Sequence, residues 1–206
     1  MPTTIILVRH GQTEWNRVER FRGRIDIPLN PTGVKQAKLT AKRISKQRKP
    51  VAVFSSPLSR AMQTAEIISK KLHLSPIPQH GLIDIDYGQW QGLTPEEARD
   101  QWPKLVKNWY EHPEVDEIPG GETLSSVRNR AMSTLAEICR RYPNQEIVLV
   151  SHTVVTRLML LAVLGLKNDH FWRIRQEPCA INVFEAQQDQ FTLVSINDTC
   201  HLDDLS

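Results

Sequence analysis

The stretch TIILVRHGQTEWN (Thr4–Asn16) begins as unbroken apolar sequence and ends in polar groups. Ile5 to Val8 show no polar alternation, so the spacing predicts a strand covered on both faces, as in a parallel sheet. Arg9 and His10 follow at once, with Gly11 behind them. Such a strand sets a cation and a titratable imidazole at the carboxyl edge of a sheet, where open α/β folds bind ligands.

The same pattern recurs along the chain. EIVLVS (Glu146–Ser151) is a second continuous apolar run, and AVFSS (Ala52–Ser56) a shorter one. Between them lie helical spacings. Asn30 is a natural N-cap with Pro31 at the first helical position, followed by Val34, Ala37, Ala41 and Ile44. Pro57 is expected to open a second helix, with Ala61, Ala65, Ile68 and Leu72 on one face. Further helices are expected over Thr123–Arg141 and Val155–Leu164. AINVFEA (Ala180–Ala186) and QFTLVSI (Gln190–Ile196) predict an antiparallel hairpin around Gln187-Gln188-Asp189. Repeated strand–helix alternation points to an α/β fold with helices on both faces of the sheet. Nothing divides the chain, so residues 1–206 are expected to form one domain. The Trp-, Pro- and charge-rich segment 94–121 is the expected insertion or lid.

Bulk properties narrow the function. A formal charge of +3 over 206 residues is too small for a nucleic-acid or polybasic membrane surface, but it suits a local pocket for a small anion. Cys139, Cys179 and Cys200 are widely spaced and odd in number, the pattern of reduced thiols in a cytoplasmic protein. No basic segment followed by a long apolar stretch opens the chain. The most apolar run, LMLLAVLGL (Leu158–Leu166), is far shorter than the ~20 residues of a membrane span.

Three apolar runs end in polar groups: Arg9-His10-Gly11, Ser55 to Arg60, and Ser151-His152-Thr153. If these strands are parallel neighbours, two arginines and two histidines share one rim. Packing gives no reason for that gathering. A phosphoryl group does, because its oxygens match the guanidinium fork. Other phosphate chemistries lack their signatures. Asp84-Ile85-Asp86 does not follow the first apolar strand as an aspartyl nucleophile would. No cysteine is followed six residues on by arginine, and HExxH and Walker motifs are absent. No metal or cofactor is expected.

LVRHGQTEWN, SSPLSRAMQTA, GQWQG, PGGET and VSHT resemble, in order and spacing, the motifs of the histidine phosphatase superfamily, in its phosphoglycerate-mutase-like branch. The resemblance implies a three-layer α/β/α sandwich whose mostly parallel sheet has an antiparallel edge strand. It implies His10 as a nucleophile that carries the phosphoryl group covalently. Arg9, Arg60 and His152 would then hold the phosphoryl oxygens, with Gly11, Asn16 and the backbone of Thr153 completing the grip. Arg9 and Arg60 should also disfavour protonation of His10. The family usually has Glu where this chain has Asp84, the implied general acid and base. Asp86 and Glu122 are the alternatives for that role.

The longer, Arg-rich insertion of the mutases is missing, which favours a phosphatase over a mutase. GGETLSSVRNR, VVTRLM and INDTCHL are most similar to metal-independent phosphoserine phosphatases. By that likeness the tail from Asp198 to Leu202, His201 included, reaches the pocket. Tyr87 stands where those enzymes have His, and Arg22 where Gln is common; an extra arginine suits a more anionic substrate, such as a sugar phosphate or a phosphoglycerate-type acid. Arg22, Tyr87, Glu122 and His201 are therefore the expected substrate contacts. The expected partner is a small phosphorylated metabolite, and the family's habits are compatible with a homodimer. A non-catalytic phospholigand-binding relative would have lost one of Arg9, His10, Arg60 or His152, and all four are present.

Overall fold

The computed structural model describes residues 1–114, 117–188 and 190–205. Its sheet has the order β3-β2-β4-β1-β5-β6. The strands are β1 (Thr3–Arg9), β2 (Ala52–Ser55), β3 (Pro76–Pro78), β4 (Glu146–Ser151), β5 (Ile181–Gln187) and β6 (Gln190–Asp198). β3, β2, β4 and β1 pair in parallel, whereas β5 runs antiparallel to both β1 and β6. The antiparallel hairpin thus forms one side of the sheet; Asp189, expected in its turn, lies outside the described residues.

Alternate residues of each apolar run enter opposite layers. Ile5 and Leu7 of β1, with Ile147 and Leu149 of β4, pack under α6 (Leu124–Arg141) and α7 (Thr153–Val163). Ile6 and Val8, with Val148 and Val150, face α2 (Pro31–Gln47) and α3 (Ser59–Leu72). Both sets are fully buried, which is why neither strand could tolerate a polar alternate position. The result is an α/β/α sandwich.

Capping explains several boundaries. Asn30 Oδ1 accepts from the N–H of Gly33, as expected for α2. α3 begins at Ser59 rather than Pro57, because the Asp26 carboxylate caps it from a distant loop. It accepts from the Ser59 N–H at 2.7 Å and from its hydroxyl at 2.6 Å. α7 begins at Thr153, two residues earlier than expected, with His152 as N-cap. A short helix, α1 (Glu14–Arg17), follows β1. The segment 94–121 carries α4 (Pro95–Gln101) and α5 (Pro103–Glu111), and Thr94 and Glu97 form a capping box at the start of α4. Residues 115 and 116 of that segment lie outside the described residues. No helix among the described residues is long and apolar enough to cross a membrane.

Candidate active site

The parallel register sets Arg9 beside Ser151 and Ser55 beside Val150. The three polar strand ends are therefore neighbours on one rim. β5 adds its amino end to the same rim: the N–H of Cys179 donates to the carbonyls of Arg9 and His10. A pocket of ≈ 370 Å³ opens above, walled by Arg9, Arg22, Asp84, Tyr87, Thr153 and Arg157.

His10 is 1% exposed and His152 fully buried, with ring centroids 5.2 Å apart. His10 Nδ1 lies 2.7 Å from the Gly11 carbonyl. A carbonyl only accepts, so Nδ1 carries the proton and Nε2 keeps its lone pair. Burial first, then Arg60 and Arg9, holds the imidazole well below the usual histidine range and therefore neutral. The arginines were expected to act this way; the larger effect is desolvation. The Gly11 N–H donates to Thr64 Oγ1 at 3.1 Å, and a side chain on Gly11 would meet the Gly33 carbonyl at 2.6 Å. Backbone thus packs on backbone behind the nucleophile candidate.

Arg60, wholly buried on the first turn of α3, organises the opposite wall. Nη1 and Nη2 donate to the Ile25 and Gly23 carbonyls, Nη2 also reaches Asp84 Oδ2 at 3.1 Å, and Nε donates to His152 Nδ1 at 3.2 Å. Arginine cannot accept, so His152 holds its proton on Nε2, which lies 2.7 Å from Ser56 Oγ. Burial and Arg60 keep this ring neutral as well. Arg9 donates to the Gln176 carbonyl. Burial and Arg22 push its guanidinium down to about 9, so it is cationic at neutral pH.

The remaining expected residues divide. Asn16, Arg22, Tyr87 and Thr153 line the pocket. The Asn16 carbonyl oxygen is taken by Thr13, which leaves its amide NH₂ as donor. Arg22 Nη1 donates to the Trp15 carbonyl. Burial and Asp84 push the Tyr87 phenol up, so it stays a neutral donor. Glu122 lies elsewhere: its carboxylate is held by Arg130, Arg24 and the Asp86 N–H. Asp86 is bound to the Gly88 N–H and paired with Arg24. His201 packs on α2, with Nε2 2.9 Å from Thr40 Oγ1, and Asp198 pairs with Arg43. The tail therefore lies against α2, not over the pocket, because Thr40 and Arg43 offer it partners there.

Several pocket residues were not anticipated. Arg157, Trp172 and Gln176 line it, as do Pro95 and Tyr110 from the 94–121 segment. Arg157 sits one helical turn after Thr153, and that spacing was its available signal. Ser56 and Asp26 act from behind the rim.

The model of the histidine phosphatase superfamily, branch 1, matches residues 5–199. The chain belongs to this superfamily. Phosphoserine phosphatase 1 of Hydrogenobacter thermophilus is 39% identical over 198 residues, covering 96% of this chain and 93% of that relative. The solved structure of Bacillus stearothermophilus YhfR matches with a TM-score of 0.93 at 27% identity, covering 98% of this chain and 100% of that one. A mutant phosphoserine phosphatase from Entamoeba histolytica, in complex with phosphoserine, matches with a TM-score of 0.84 at 29% identity, over 97% and 99% of the two chains. The chain is thus a phosphoric monoester hydrolase for a small phosphorylated metabolite, and the pocket lined by Arg9 and Asp84, with their neighbours His10, Arg60 and His152 buried rather than among its lining residues, is the phosphatase's candidate active site.

Proposed function

We propose that this phosphatase hydrolyses phosphoserine, without a metal, through a phosphohistidine on His10. The observation that carries this reading is the tautomer of His10: Nδ1–H is tied to the Gly11 carbonyl, and Nε2 keeps an unprotonated lone pair. Nε2 attacks phosphorus in line as the ester P–O bond breaks, and the Asp84 carboxylate, which takes up a solvent proton as the phosphate dianion enters, passes that proton to the departing serine oxygen. Asp84, now a carboxylate, takes a proton from water. The water oxygen attacks phosphorus, the N–P bond breaks, and the lone pair returns to Nε2.

Arg9 and Arg60 supply fixed positive charge where the phosphoryl oxygens gain electron density. Thr153 supports the grip, since its N–H is among the free donors at the start of α7. The names of the relatives support phosphoserine as the substrate.

The test is rapid acid-free quenching after brief exposure to phosphoserine labelled on phosphorus, with EDTA present throughout. An acid-labile, base-stable label on the wild-type chain, absent from His10→Ala, is the expected result. Turnover that collapses in EDTA would overturn the mechanism. A panel in which a sugar phosphate or 3-phosphoglycerate surpasses phosphoserine would change the substrate.

A further inference from the structure

The pocket holds more cation than a phosphoryl group needs. Arg9, Arg20, Arg22 and Arg157 line it against only two carboxylates, Glu19 and Asp84. Arg20 is occupied by the Gly92 carbonyl and Glu97, and Arg9 by Gln176. Arg22 also donates once, to the Trp15 carbonyl, and Arg9, Arg22 and Arg157 each keep a buried Nε with no acceptor among the described residues; Arg9 belongs to the phosphoryl grip, which leaves Arg22 and Arg157 for a second group. Such a donor costs free energy unless a ligand completes it.

Arg157 is also held still. Its guanidinium lies 5.0 Å from the Phe171 ring and 4.9 Å from the Trp172 ring. Trp172 is in turn fixed by a 2.7 Å hydrogen bond to the Trp109 carbonyl and by stacking on Tyr110. Aromatic faces take up the flat sides of a guanidinium but leave its N–H edge for an in-plane acceptor. A cation restrained in this way loses little entropy when it binds.

We infer that Arg157, with Arg22, forms a second anion subsite that takes the carboxylate of a phosphorylated carboxylic acid. Arg157 is thereby a specificity-determining residue. The inference deepens the phosphoserine reading and rests on it for the position of the phosphoryl group. A planar carboxylate suits the fork geometry, and each such charge-assisted contact discriminates strongly against a ligand that lacks it.

The test compares phosphoserine with phosphoethanolamine, which has the same phosphate and ammonium but no carboxylate. Binding is measured by calorimetry in His10→Ala, where no turnover interferes. Phosphoserine is expected to bind about 30-fold more tightly, and Arg157→Gln to bring the two ligands to within about threefold of each other. Arg157→Lys, which keeps the charge and the packing stem, is expected to lose about tenfold of the preference, because a point charge replaces the fork. Equal weakening of both ligands, or no preference before mutation, would overturn the subsite. Phosphate release by the wild-type chain is followed separately: its absence would overturn the hydrolase mechanism while the binding preference still reports on the subsite.

Discussion

Arg60 Nη2 donates to Asp84 Oδ2 across 3.1 Å, and both side chains are buried. The cation proposed to grip the phosphate is thus already joined to the group proposed to move protons, and the pair is part of the fold. Removing one partner leaves the other buried and uncompensated. Asp84→Ala is expected to lower unfolding free energy by about 3 kcal/mol, towards the lower end for a broken buried pair because Arg60 keeps two carbonyl acceptors. Asp84→Asn keeps an acceptor and should cost about 1 kcal/mol. Urea unfolding of both variants checks the order; equal losses would show that the ion pair contributes nothing beyond its hydrogen bond.

The same Asp84→Asn variant separates the chemical role. Alkyl phosphates need a proton on the leaving oxygen, and their turnover should fall about 10³-fold. The leaving group of p-nitrophenyl phosphate is stable as an anion, so its turnover should fall about tenfold or less. Parallel losses on both substrates would move the acid to another residue.

Acid should destabilise the protein through its two buried imidazoles. Burial and Arg60 lower the pKa of both His10 and His152 well below 6.5. Below pH 6.5 the unfolded chain binds protons that the folded chain refuses, so stability falls as pH falls. The slope reaches about 1.4 kcal/mol per pH unit for each ring. Unfolding free energies measured between pH 7.5 and 5 should show it, and His10→Asn should remove about half of that slope. A pH-independent stability over this range would mean the rings titrate normally.

Gly33 lies on α2, and its own substituent would meet the Gln12 carbonyl at 2.1 Å. Gly33→Ala must therefore push the loop after His10 away from α2. A shift of about 1 Å at the proposed nucleophile is worth about 10² in rate, so kcat should fall by that order while the phosphate is still bound. Product inhibition by inorganic phosphate, compared with kcat, separates the two; unchanged kcat would show that the loop absorbs the methyl.

Ser56 Oγ accepts from the Nε2–H of His152, in the tautomer that Arg60 sets from the other side of the ring. In Ser56→Ala the Nε2–H loses its partner, a cost of about 1–2 kcal/mol for a buried donor. The ring can then turn, which should loosen Arg60 and lower kcat/KM. Ser56→Thr, which keeps the hydroxyl, should restore most of the loss.

The α/β architecture was legible because burial on both faces forbids polar alternation in TIILVR and EIVLVS. β3 was not: PIP has prolines at both ends, tolerated only because the strand lies at the sheet edge. The start of α3 was misread at Pro57 because its cap, Asp26, is 33 residues away. In the site, residues at strand ends were readable from position alone. Arg157 offered only its spacing from Thr153, since on a helix it looks like any solvated cation until Phe171 and Trp172 fold against it. His201 and Glu122 were expected at the pocket from resemblance, but Thr40, Arg130 and Arg24 hold them elsewhere.

The carbonyl that holds Arg9 belongs to Gln176, whose side-chain amide exchanges two hydrogen bonds with Asn182 on β5. The contact between residues 9 and 176 spans 167 positions. During synthesis the amino-terminal motif therefore emerges early but stays unfinished. Arg9 acquires its fixed orientation only when the segment carrying Gln176 and Asn182 has left the ribosome and docked. A nascent chain stopped before that point carries every letter of Arg9-His10-Gly11 and lacks the arrangement proposed for catalysis.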